Sequence, residues 1–137
     1  MDYVFDASFV GALIIPDEKN PVIDKIRASI GENEEVFVPQ LFWYEIVSIF
    51  QKLFRRKRYT YDAVLRLFPI LAAIRLTTDY TSGVAYSQKL LQMCNECNLS
   101  AYDAAYLELA QRKNALLCTL DEGLRAAAQK IGVAVVR

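Results

Sequence analysis

Four acidic residues of this 137-residue chain interrupt or end apolar stretches. Asp6 follows directly on "YVF", Glu45 breaks "LFWYEIVSIF", Asp103 lies inside "LSAYDAAYLELA", and Asp121 comes just after "ALLCT". The chain has no histidine, so any acid–base or metal chemistry falls to carboxylates. Carboxylates gathered at one place repel, and in isolation some would take up protons. A divalent cation removes that conflict. Hard oxygen ligands with open water positions suit Mg²⁺ or Mn²⁺. A cation held this way activates water and neutralises charge on a phosphoryl group, and two of them about 4 Å apart can clamp the attacking and leaving oxygens. A phosphodiester is the natural substrate of such a site.

Each acidic residue also has a simpler reading. Asp103 lies three residues after Ser100, close to a capping box, and an acidic first turn suits the helix dipole. Asp121 can be the N-cap of the helix that follows it, and Asp6 or Ser8 can cap one beginning near Phe9. Glu45 can belong to a narrow polar stripe with Ser48 and Lys52. Only convergence of the four favours chemistry over capping.

The elements decide whether they converge. Short apolar runs at 3–5, 36–38 and 115–119 read as buried strands, with a further short strand near Leu76 and a last one at "VAVV". Helices are expected over 8–15, 20–30, 40–56, 60–73, 80–96, 100–113 and 122–131, punctuated by Pro16, Gly31 and Pro39. Helices alternating with short apolar strands predict an α/β fold, a three-layer sandwich whose mainly parallel sheet is covered on both faces. In such sheets the functional crevice lies at the carboxyl ends of the strands. Asp6 and Asp121 end strands, so they share that edge if their strands are neighbours.

Composition narrows the rest. The length suits one domain, residues 1–137, able to bury a continuous core. Hydrophobic residues make up 54%, above the usual share, which predicts some apolar surface for a partner. Sixteen basic residues balance sixteen acidic ones, so a nucleic-acid signal must come from local clustering. Such a cluster exists in "KLFRRKR": Lys52, Arg55, Arg56, Lys57 and Arg58 are candidates for phosphate contact, or simply a solvated helix end whose cations favour the dipole. Tyr59 and Tyr61 can stack on bases or pack internally. No leader is expected before a strand at Tyr3, and no apolar run is long enough for a membrane span, so the expectation is a cytoplasmic protein with reduced thiols. Cys94 and Cys97 form a lone CxxC without the second pair or histidines a zinc site needs.

The motifs together resemble the PIN-domain family, and within it the small single-domain VapC-type toxins. "VFDAS" is similar to the family's first acidic motif, the Glu45 helix after "VPQL" to the second, "LSAYDAAYLELA" to the third, and "LLCTLDEGLRAAAQKIGV" to its closing segment. They occur in the family's order, over nearly the whole length. The resemblance implies a PIN-like sandwich and a metal-dependent endoribonuclease, with Asp6, Glu45, Asp103 and Asp121 holding Mg²⁺ or Mn²⁺. Ser8 and Thr119 would be accessory hydroxyls that orient a carboxylate or water. It implies hydrolysis leaving a 5′-phosphate and a 3′-hydroxyl, a VapB-like antitoxin whose tail docks near the site, and commonly a homodimer. A housekeeping RNA-processing nuclease and a non-catalytic binding module of the same fold remain alternatives. A phosphatase using Asp6 as nucleophile would want a second aspartate where Ser8 stands.

Overall fold

The structure, a computed structural model, describes residues 1–16 and 20–136. Four strands, β1 (Tyr3–Phe5), β2 (Val36–Pro39), β3 (Leu76–Asp79) and β4 (Leu116–Cys118), form one sheet in the order β3-β2-β1-β4. Every pairing is parallel. Tyr3, Val4 and Phe5 stand opposite Leu116, Leu117 and Cys118, so the strands that carry Asp6 and Asp121 are direct neighbours. The "VAVV" segment is not a full strand. Among the described residues it contributes a single parallel bridge from Val135 to Leu117.

Eight helices complete the described chain: α1 (Ala7–Ile14), α2 (Pro21–Ser29), α3 (Leu41–Arg55), α4 (Tyr61–Leu65), α5 (Leu67–Ala73), α6 (Val84–Cys97), α7 (Ala101–Lys113) and α8 (Glu122–Lys130). The single helix expected over 60–73 is two, broken at Arg66, which closes α4 and opens α5. Pro69 in the first turn of α5 has no N–H to give to the preceding turn, so the break falls where proline is tolerated. Asn98 and Asn114 end α6 and α7 in the left-handed conformation, a frequent helix stop.

Strand alternation distributes these helices. Phe5 packs on Phe9 of α1 at 4.9 Å between ring centres, and the Tyr3 hydroxyl reaches Ser29 of α2, so these side chains face the α1–α5 layer. Val4 points the other way, toward α7, which lies against β1, β2 and β4 with α6 and α8 beside it. Phe5, Phe9, Phe42, Ile46, Leu107 and Leu117 are fully buried in the continuous core. Among the described residues no helix is long and apolar enough to cross a membrane.

Candidate active site

The carboxyl ends of β1 and β4 open into a cleft of about 570 Å³. Asp6, Glu45, Asp103 and Asp121 all line it, from four separate segments of the chain. Ser8, Ser48, Lys52 and Tyr106 share its wall.

Asp6 ends β1 and caps α1. Its Oδ1 accepts from the Phe9 amide at 2.9 Å and from the Ser8 hydroxyl at 2.8 Å, and its Oδ2 accepts from the Thr119 hydroxyl. Asp121 caps α8, its Oδ1 accepting from the Leu124 amide at 2.9 Å, while its own amide donates to Thr119 Oγ1 at 3.0 Å. Asp103 sits in the first turn of α7, capped by Ser100. The capping and chemical readings are therefore compatible. At Asp121 the cap engages one carboxylate oxygen through a recorded bond, and the same side chain lines the cleft. The polar stripe on α3 is also real. Glu45, Ser48 and Lys52 lie at i, i+3 and i+7 on one helix face, and that face is a wall of the cleft.

Electrostatics mark the four as one group. Burial holds the Asp6 carboxyl above its ordinary value, against the lowering effect of its three donors, and Asp103 pushes it further up. Burial likewise raises Glu45, assisted by Asp6 and Asp103 and opposed by a hydrogen bond from Tyr106. Asp103 is raised by burial and by Asp121. Half-buried carboxylates that raise one another are what a bound dication would relieve. The donor set consists of hard carboxylate oxygens without histidine or thiolate, which fits Mg²⁺ or Mn²⁺. Among the described residues no three Cys, Asp or Glu side chains are already gathered into a set that could hold an ion.

The basic segment divides. Lys52 reaches the cleft; Arg55, Arg56, Lys57 and Arg58 stand beyond it at the end of α3. Tyr61 packs edge-on against Phe54 at 5.8 Å. Cys94 and Cys97 are half-buried free thiols at the end of α6, outside the residues that line the cleft. The residue that sequence reasoning missed is Tyr106, which lines the cleft and donates from its hydroxyl to Glu45 Oε1 at 2.6 Å. Its position three residues after Asp103, on the same helix face, was the available signal.

Comparison with known proteins agrees with this architecture. Over 124 residues the chain is 25% identical to ribonuclease VapC3 of Pyrobaculum aerophilum, covering 90% of this chain and 92% of that protein. Its fold is similar to the crystal structure of PAE2754 from Pyrobaculum aerophilum, with a TM-score of 0.70 at 24% identity, over 98% of this chain and 83% of the other. It is also similar to Mycobacterium tuberculosis VapC20, a toxin that cleaves the sarcin–ricin loop, with a TM-score of 0.65 at 18% identity, over 92% and 95% of the two chains. Residues 3–130 match the PIN domain as a whole, and with the parallel sheet and its acidic cleft they show that this chain belongs to the PIN domain family.

Proposed function

We propose that this protein is a divalent-metal-dependent endoribonuclease and the toxin of a toxin–antitoxin pair. The observation that carries the reading is the meeting of Asp6, Glu45, Asp103 and Asp121, from four segments, on one cleft, where burial and neighbouring carboxylates raise Asp6, Glu45 and Asp103. Its similarity to a VapC ribonuclease points the same way. Asp6, Glu45, Asp103 and Asp121 would hold Mg²⁺ or Mn²⁺. When bound, that ion supplies an activated water and positive charge at the phosphoryl group.

The chain's own groups have definable tasks. Ser8 and Thr119 donate to opposite oxygens of Asp6 and fix the plane of its carboxylate. Thr119 also accepts from the Asp121 amide, so one hydroxyl ties the first and last acidic motifs together. Lys52 stands in the cleft wall as a cation for the RNA backbone, with the charges beyond it extending the path. Tyr44 lines the cleft and is 78% exposed. Val47 and Phe54 of the same helix, and Phe68 and Ile70 of α5, are further exposed apolar side chains. Such side chains support the antitoxin part of the proposal, and a second copy of the chain is the other family assembly they could serve.

The test is cleavage of a structured RNA pool by the purified protein. Cutting is expected in Mn²⁺ or Mg²⁺, with loss in EDTA and a fall of at least about a hundredfold in Asp6→Asn and Asp103→Asn, the order by which losing a preorganised electrostatic group slows an enzyme. Cleavage that persists in both variants and in chelator would overturn the proposal.

A further inference from the structure

Tyr106 is 2% exposed, yet its hydroxyl lies at the cleft. The phenol hydroxyl donates to Glu45 Oε1 at 2.6 Å. The tyrosine itself rides on α7 one turn beyond Asp103. A single hydrogen bond therefore joins the two helices that carry Glu45 and Asp103. A tyrosine needed only to fill space would not require an oxygen here, because phenylalanine occupies nearly the same volume.

Resting on the metal-dependent reading above, we propose that Tyr106 is a positioning residue, whose hydroxyl holds Glu45 so that one carboxylate oxygen, Oε2, is presented to the cation. The phenol has one proton. That proton goes to Glu45 Oε1, across a separation of 2.6 Å. Mg²⁺ demands near-ideal octahedral geometry and is served by single carboxylate oxygens, whereas Ca²⁺ accepts both oxygens of one carboxylate. Tyr106 thereby biases the cleft toward the smaller ion. Hydrogen-bonded supports of this kind commonly change metal affinity by about 10–100-fold.

The experiment is calorimetric titration of the metal-free protein with Mn²⁺, Mg²⁺ and Ca²⁺, for wild type, Tyr106→Phe, Glu45→Gln and the double variant. Tyr106→Phe is expected to weaken Mn²⁺ binding about tenfold and to raise the Ca²⁺-to-Mg²⁺ affinity ratio. In the Glu45→Gln background the same change is expected to add nothing, because its effect runs through the missing carboxylate. Unchanged Mn²⁺ affinity in Tyr106→Phe, or an equal loss in both backgrounds, would overturn the positioning role while leaving the nuclease reading intact. Wild type that binds no Mn²⁺ would overturn both. Should Tyr106→Phe fail to fold, proton NMR of the wild type supplies the answer. A slowly exchanging phenol proton that moves upfield in Glu45→Gln supports the proposal, and its absence overturns it.

Discussion

Asp6 is the most enclosed of the four carboxylates, at 6% exposure, and both its oxygens are engaged. Thr119 is the donor whose loss should matter most, because it is itself fully buried and serves two partners. Thr119→Val leaves Asp6 Oδ2 without its donor and the Asp121 amide without its acceptor. A destabilisation of about 1–3 kcal/mol is expected, read by urea denaturation, together with loss of RNA cleavage. Thr119→Ser should recover most of both, and a Val variant as stable and active as wild type would contradict the role. At this scale most of the site could be read from the chain. The four carboxylates stand out because they interrupt or end apolar stretches, although each also has a local capping or stripe reading, while Ser8 and Thr119 were singled out as accessory hydroxyls only through the resemblance to the PIN-domain family. Tyr106 does not stand out, since a tyrosine in an apolar helix reads as core. Its meaning depends on Glu45, 61 residues away in sequence, and only the tertiary fold brings the two into contact.

The elements owe their arrangement to a second set of charges, away from the cleft. Glu108 of α7 is 1% exposed, and its carboxylate accepts from Arg112 Nε at 2.9 Å and from Lys89 of α6 at 3.2 Å. Arg112 also grips Asp79 at the end of β3 through both terminal nitrogens, at 3.0 and 2.8 Å. This network docks α6, whose apolar contribution to the core is Met93, and ties it with α7 to the edge strand. Arg112→Ala leaves a buried carboxylate with only the half-exposed Lys89, so a loss of roughly 3–5 kcal/mol is expected. Lys89→Ala should cost about 1 kcal/mol or less, as exposed ion pairs do. Equal effects of the two in equilibrium unfolding would refute this ranking. None of this was legible in "AYLELAQRK". Spacing shows Glu108 and Arg112 one turn apart, an ordinary surface pair, and the third member, Asp79, is 33 residues from Arg112. The alternation was legible at β1, β2 and β4, whose short apolar runs are what buried parallel strands require, whereas the edge strand β3 (Leu76–Asp79) is polar after its first residue and only partly buried. The break at Arg66 was not, because an apolar pattern runs through both short helices. The final "VAVV" carries a strand's composition, but its backbone meets a partner at one pair only.

For the whole molecule, two opposite sets of carboxylates shape stability against pH. The Asp79 carboxyl is held below its ordinary value by Arg112, so its contribution is complete above the usual carboxylate range and fades as pH falls through the lowered value. Asp6, Glu45 and Asp103 behave in the reverse sense. Burial and mutual repulsion raise them, so the folded protein holds their protons more tightly than the unfolded chain. Their effect favours folding below the usual carboxylate range and turns against it as pH rises through the raised values. Metal-free protein should therefore lose stability as pH rises above the usual carboxylate range, once Asp79 is fully charged. A cation that binds only the folded state adds RT ln(1 + [L]/Kd), about 2.7 kcal/mol at a hundredfold excess over Kd. Because it must displace those protons to bind, the gain should be large near pH 8 and small near pH 5. Thermal unfolding with EDTA or Mn²⁺ at both pH values measures this directly. A Tm increment from Mn²⁺ that is the same at pH 5 and pH 8 would mean that the ion binds elsewhere than at the raised carboxylates. An increment confined to the higher pH, and absent from Asp103→Asn, would place it among them, where proton and cation compete for the same oxygens.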